Sequence, residues 1–362
     1  MTLLFFDGFE TYGATATGAD GMEDVYNLHS TSTPTVTIIA SARIADGSAI
    51  RIDGIGPNAD LTPALGPQLH LTGFSSEDDW VFGAAFRAPG GLALSPRIRP
   101  LFEIRDSDSD SMVELRVDYA GDLTLDRHDT INSTQTINTA VGAFTGTDWN
   151  YVELKVKFHS SAGSYDVRVN EVSVMSGTGA KTSASSETRP SHLRFGHIEG
   201  QFLDVDDFYV LDDTGTINND FLGNVRVQRL LPDGLTATED FTPSTGTTNW
   251  DLVNELTESG DTGYVESNTV GDRDLYEYEN LPLATDTIFA VIAKPVVRKS
   301  DAGSRTYKLL CSSGIFEAEI GTLYPAGTYV RQAKIFETDP ATGNLWEEAG
   351  INSAKFGVEI VS

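Results

Sequence analysis

The stretch Phe202 to Gly215, FLDVDDFYVLDDTG, sets five aspartates (Asp204, Asp206, Asp207, Asp212 and Asp213) among seven apolar or aromatic residues. Carboxylates at this density could serve acid–base chemistry, hold a metal, or decorate a strand. Read as a regular strand, FLDVDDFYV puts Leu203, Val205, Asp207 and Tyr209 on one side and Phe202, Asp204, Asp206 and Phe208 on the other. A sandwich glycosidase needs two facing carboxylates at a set separation, and the chain has no E-x-D-x-E strand to supply them. The expectation is therefore structural: carboxylates that cap loop amides at the edge of a β-structure. No catalytic residue is assigned, and the protein is not expected to be an enzyme.

The other candidates are thinner. Asp106, Asp108 and Asp110 in RDSDSDSM have the opening spacing of an EF-hand loop, but Ser111 stands where the sharp-turn glycine belongs and Val117 where the bidentate glutamate belongs. The Asp106–Asp110 loop is expected to be a solvated hairpin tip, and whether it binds calcium stays open. Histidines 29, 70, 128, 159, 192 and 197 are scattered, and the closest pair, His192 and His197, is five apart, on opposite faces of a strand. Gly177 to Thr182, GTGAKT, lacks the glycines of a phosphate loop. There is no GxSxG elbow, and the single cysteine, Cys311, excludes an internal disulfide and any CxxC site. No cofactor is expected.

The elements that must position these residues are nearly all β. Period-2 alternation marks strands at Trp80–Arg87, Val113–Tyr119, Tyr151–Phe158 and Tyr165–Val174. In YVELKVKF, Val152, Leu154, Val156 and Phe158 face one way and Lys155 and Lys157 the other, giving one buried and one wet face. SSAGS at 160–164 and YAGD at 119–122 supply reversals. Ser176–Ser186 predicts a long flexible loop. Later strands are expected at Val225–Leu231, Thr287–Val297, Thr306–Cys311, Thr328–Phe336 and Lys355–Val361, with one short helix at Asn344–Ala349. Thr214–Asn219 marks a domain boundary, giving two β-sandwich domains at 1–216 and 217–362.

Charge restricts the partners. The 53 acidic against 25 basic residues, a net charge of −28, repel polyanions, so neither nucleic acid nor an anionic membrane surface is expected. The start MTLLFFDGFETYG has an apolar run too short for a signal or a membrane span. The expectation is a soluble, unprocessed chain with no membrane insertion.

The succession FFDGFETY, ARIADGSAIRI, WVFGAAFR, VELRVDYAGDLTL, WNYVELKVKF, YDVRVNEVSV and LRFGHIEGQFLDVDDFYVLDD resembles the concanavalin A-like, laminin-G-type jelly roll. That resemblance implies that the first and last strands lie side by side, FFDGFE against VDDFYV, which would make the aspartate-rich stretch the closing strand. The glycan and calcium residues of the lectin members have no match. The continuation, with TNWDLVNE, GDRDLYEYENLP, RKSDAG and FETDPATGNLWEEAGINSAKFGVEIVS, resembles tailed-bacteriophage virion proteins over the whole chain.

The resemblance implies a structural component of the virion: a tail fibre, tail tip, baseplate or head-surface protein, assembled in the host bacterial cytoplasm. Its partners would be other virion proteins, further copies of itself and, where it displays a recognition surface, a host-surface glycan. The alternative is a carbohydrate-binding adhesin with aromatics such as Tyr12, Tyr26, Trp80 or Trp149 stacked on sugar rings, although core packing suits Trp80 and Trp149 better. A glycan-cleaving enzyme ranks last.

Overall fold

A computed structural model describes residues 2–362 except 16–17, 23–24, 28–34, 41–42, 45–46, 54–67, 72–76, 93–98, 109, 131–132, 184–188, 197–201, 247, 256–258, 282–286, 314–315 and 324. His29 and His197 lie outside the described residues. The chain is nearly all β and forms two compact units, Met1–Val227 and Gln228–Ser362. Among the described residues, no helix is long and apolar enough to cross a membrane.

The first unit is a jelly-roll sandwich of two antiparallel sheets. The first sheet runs in the order Val172–Ala180, Gly163–Val169, Asn150–Lys157, Asp79–Arg87, Phe202–Asp212, Ser48–Asp53, Thr35–Ala40, with Leu3–Asp7 on the same edge of Phe202–Asp212 as Ser48–Asp53. The second runs Ser133–Ala140, Leu123–Thr130, Ser111–Val117, Arg99–Arg105, His192–Phe195, Gln68–His70, Tyr26–Asn27. Trp80, Phe82, Phe86, Phe102, Phe195 and Phe208 fill the space between them. Edge-to-face contacts join Phe86 to Phe102 at 5.1 Å and Phe195 to Phe208 at 4.8 Å, a favoured geometry for aromatic pairs.

The first strand does close the sheet against the aspartate-rich one, with Phe5 opposite Val210, Phe6 opposite Tyr209 and Asp7 opposite Phe208. The strand is not regular, however. Against Asp79–Arg87 the partners pass from Asp206↔Ala85 to Tyr209↔Gly83, so one extra residue is inserted, and Asp207 takes a left-handed φ of 48°. Aspartate tolerates that conformation better than most side chains, and a bulge reverses which side later residues face. Leu203, Val205, Phe208 and Val210 therefore point into the core, while Tyr209 leaves the face that regular alternation assigns it. Tyr209 lies over Gly83 instead, whose glycine is required: a Cβ there would come within 2.2 Å of the Tyr209 ring.

Several expected elements differ. Tyr165–Val174 is not one strand but the hairpin Gly163–Val169 and Val172–Ala180, turned by Asn170 and Glu171 at φ 49° and 71°, a two-residue turn that matches strand twist. Its second strand runs through the start of Ser176–Ser186, which is thus not all loop. Val225–Leu231 forms no strand, because its first residues lie across the outside of the first sheet. Thr287–Val297 and Thr328–Phe336 each break into two short strands, which pair as separate ribbons.

The second unit is built on one five-stranded sheet, Pro232–Glu239, Arg273–Tyr278, Lys355–Ile360, Tyr307–Ser313, Phe316–Leu323. Its helix covers Glu348–Ser353 rather than Asn344–Ala349. Trp346 is instead drawn into the core, bridging Ile288 and donating its indole N–H to the Phe336 carbonyl at 2.9 Å. Phe336, Trp346, Ile351 and Phe356 pack there with Cys311, whose thiol burial pushes up to about 12.

Candidate functional site

Four of the aspartates singled out by spacing make contacts within the first unit. Asp204, fully buried, is held by Arg51 (Nε to Oδ1, 2.7 Å) and Arg87 (Nη2 to Oδ2, 2.7 Å). Asp207 faces Arg43 Nε at 2.8 Å and accepts the Val227 amide at 2.7 Å. Asp212 accepts the amides of Thr2 (3.1 Å) and Thr214 (3.0 Å). Asp106 accepts the amides of Asp108 and Asp110 at 3.0 and 2.9 Å, turning its carboxylate into its own loop. Among the described residues, no group of three His, Cys, Asp or Glu side chains could hold a metal ion.

The aromatic candidates are equally committed. Tyr12 and Tyr26 are buried and both donate to Asp7 Oδ2, at 2.6 and 3.1 Å. Trp80 is buried and stacks on Phe82. Trp149 is half-buried, with the Arg87 guanidinium 4.7 Å from its ring centre.

On the outside of the first sheet, Asp220–Val227 runs as a strap. Leu222 N donates to Tyr209 Oη at 3.2 Å and Gly223 N to Glu153 Oε1 at 2.9 Å. Asn224 N donates to Glu171 Oε1 at 3.2 Å. Lys155 meets Asp220 at 3.0 Å, and Phe221 lies beneath the Arg168 guanidinium at 3.9 Å. Tyr209 also donates its hydroxyl to Glu153 Oε1. Burial pushes the Glu153 carboxyl up, against the hydrogen bonds from Tyr209 and Gly223. The strap covers part of this face.

The outside of the second sheet is chemically different. Strand pairing sets Gln68, Arg194, Glu103, Glu114, Asp126 and Thr136 opposite one another in a single row across six strands. A neighbouring row continues His70, His192, Arg105 and Ser111. Strands lie about 4.8 Å apart, so the six-residue row extends roughly 24 Å. Inward-facing neighbours of these residues, Leu69, Leu193, Ile104, Val113 and Leu125, are core. The polar rows are thus the alternate face of strands anchored by apolar residues.

Ion pairs fix the rows. Glu103 accepts from Arg105 Nε at 2.9 Å and faces Arg194 Nη1 at 3.1 Å. Glu114 Oε2 is 3.2 Å from His128 Nε2. Asp126 is bonded to Arg116 and accepts the Thr136 hydroxyl at 2.8 Å. Gln68, Arg194 and Asp126 are buried although their strands turn them away from the core. The His70 and His192 rings meet edge to face at 4.6 Å, with His192 Nδ1 3.4 Å from the Asp106 carbonyl. Burial pushes the His192 imidazole below its usual range, and His70, Arg105 and Arg194 push the same way. Arg194 Nε is buried with no hydrogen-bond partner. The exposed and half-buried members of these rows, His70, Thr136, Glu103, Arg105, Glu114 and His192, present fixed donors and acceptors to a polar ligand. Of the carboxylates on this face, Glu103 and Asp126 are paired with arginines and Glu114 with the His128 ring.

No family model and no curated protein matches the chain. Solved structures overlap parts of it. An alginate lyase in complex with alginate tetrasaccharide aligns at 12% identity, over 47% of this chain and 82% of its own, with a TM-score of 0.32. A galectin from Caenorhabditis elegans aligns at 14% identity, over 44% and 95%, TM-score 0.29. The CBM40 of a Ruminococcus gnavus IT-sialidase, bound to α2,3 sialyllactose, aligns at 14% identity, over 46% and 93%, TM-score 0.31. Overlaps at this level carry no functional assignment to this chain.

Proposed function

We propose that the chain is a carbohydrate-binding protein whose first unit takes a saccharide on the outer face of its second sheet. The observation that carries this reading is the six-residue polar row from Gln68 to Thr136, in which charged side chains are ordered by one another and turned away from the core. A saccharide offers paired hydroxyls that both donate and accept, and guanidinium and carboxylate groups meet them with charge-assisted bonds, roughly twice as strong as neutral ones. The test is a glycan array followed by calorimetry on the full chain. A charge-assisted bond contributes about 1.5–3 kcal/mol, so Glu114→Ala is expected to weaken binding tenfold or more. Lys155→Ala, under the strap, is expected to leave it unchanged. Failure to bind any neutral or acidic glycan, or full affinity in Glu114→Ala, would sink the reading.

The virion setting is a second proposal, about where such a module is displayed. It rests on the resemblance of the chain to phage virion proteins and on its division into two units, which allows display and attachment to be separate. We infer assembly with other virion proteins, and with further copies of the chain, through surfaces other than the polar rows. Immunogold labelling of purified particles tests this; unlabelled particles from a strain that makes the protein would refute it.

A further inference from the structure

The two ends of the polar face are unlike. At the far end the groups that can meet a ligand are the Glu114 carboxylate, which faces His128, and the exposed Thr136 hydroxyl, whereas Asp126 is buried and already holds Arg116 and Thr136. At the near end such groups are mainly donors. Arg105 and Arg194 each carry five N–H donors and no acceptor, and one carboxylate, Glu103, meets Arg105 through Nε and Arg194 through Nη1. Glu103 can accept only about four hydrogen bonds in all, against ten donors on the two arginines, and Arg194 Nε, withdrawn from solvent, is left with no partner. His192 and His70 add ring nitrogens beside them. The crowding is electrostatic as well: Arg105 lies close enough to both Arg194 and His192 to lower each.

A neutral hydroxyl satisfies such a corner less well, because its one proton competes with the two arginines for Glu103. A carboxylate brings acceptors only and matches the fork geometry of a guanidinium with two parallel bonds. The wider charge of the molecule sets a limit in the other direction. With a net charge of −28 the chain repels a polyanion, so one or a few negative charges are tolerated where a long acidic polymer is not.

Resting on the carbohydrate-binding reading above, we propose that the ligand is an acidic saccharide, whose single carboxylate sits at Arg105 and Arg194 beside His192 while its hydroxyls extend along the row toward Glu114 and Thr136. Arg105 is the specificity-determining residue, because its side chain is the more exposed of the two arginines, at 22% against 6%.

The experiment is calorimetry on the full chain with two probes, an oligosaccharide ending in glucuronic acid and the same oligosaccharide ending in glucose. The acidic probe is expected to bind at least tenfold more tightly than the neutral one, and Arg105→Gln to bring the two within a factor of three. Folding of Arg105→Gln is checked by its melting temperature, and Arg105→Lys, which keeps the charge but not the fork, is expected to hold an intermediate preference. Equal affinity of the unaltered protein for both probes, or a tenfold preference surviving in Arg105→Gln, overturns the acidic-ligand inference and leaves the carbohydrate reading standing. Binding of neither probe, nor of any array glycan, overturns both.

Discussion

Glu153 offers the sharpest test of how the first sheet is closed. Its Oε1 is the shared acceptor for the Tyr209 hydroxyl and the Gly223 amide, so one oxygen ties a core strand to the strap. Its Oε2 is buried with no partner. Glu153→Ala leaves the buried Tyr209 hydroxyl and the part-buried Gly223 amide without an acceptor, at about 1–3 kcal/mol each, and removes one methylene worth about 0.8 kcal/mol. Relief of a half-satisfied buried carboxyl offsets part of this, so a net loss of about 3 kcal/mol is expected. For a unit of this size that is a fall in Tm of roughly 6–12 °C. Glu153→Gln keeps the oxygen acceptor and discards the charge, so its stability at neutral pH is expected to equal or exceed that of the unaltered protein. The pH dependence carries a definite sign. Burial raises the carboxyl in the folded state, so the native protein holds the proton more tightly than the unfolded chain. Stability is then lost as pH rises from the ordinary carboxylate range through the raised native value. Glu153→Gln should abolish that part of the slope. Melting curves from pH 4 to pH 8, with hydrogen exchange at Leu222 and Gly223, measure both effects. If Gln is as damaging as Ala, or neither changes the strap amides, the shared-acceptor account is wrong.

Two further expectations concern the same unit. Val205→Asp should unfold it, since the carboxyl would replace a fully buried core side chain with no partner in reach, whereas Asp213→Asn should be neutral or slightly stabilising, because burial and the nearby Asp79, Asp212 and Asp78 already raise that carboxyl; comparable melting temperatures for the two variants would refute the facing assignment. A Met1–Val227 fragment should melt higher than Met1–Thr216, which lacks the strap bonds to Tyr209, Glu153 and Asp207, and Met1–Gly200 should not fold, having lost the strand that pairs with both Leu3–Asp7 and Asp79–Arg87; equal melting of the two longer fragments would mean the strap adds nothing.

What the sequence made legible was local. Period-2 alternation placed the Trp80–Arg87 and Tyr151–Phe158 strands within a residue of Asp79–Arg87 and Asn150–Lys157, because each has a buried face that fixes its register. The capping role of Asp212 was legible because aspartate beside Thr214 and Gly215 has turn chemistry of its own. The bulge at Asp207 was not: an inserted residue reads as one more step of alternation until the partner strand is known. The hairpin at Asn170 and Glu171 left a trace that a single-strand reading passes over: the apolar positions of YDVRVNEVSV shift phase there, from 165, 167 and 169 to 172 and 174. The polar rows were the least legible feature. Gln68, Glu103, Glu114, Asp126, Thr136 and Arg194 become neighbours only through strand pairing, which no spacing along the chain encodes. The signal that could have found them is the alternation itself: FEIR at 102–105 and HLRF at 192–195 place every second side chain, each charged or polar, on one face.

The contrast between the two outer faces argues against a purely structural role for the rows. The first sheet carries Val81, Ala85, Tyr151, Tyr209 and Leu211 outside the main core cluster, all buried, and the strap accounts for part of that burial. The second sheet carries charge instead. As a device for stability that choice is weak, because Arg194 and Asp126 are withdrawn from water at a desolvation cost that their partners only partly return. Threonine or valine across the same strands would stabilise the sheet better through cross-strand packing. What ion pairs supply is fixed direction. Glu103 holds the arms of Arg105 and Arg194 in place, so the ordering entropy of two long side chains is already spent before any ligand arrives. A face arranged this way sacrifices folding stability for preorganisation, the property on which the proposed saccharide binding depends.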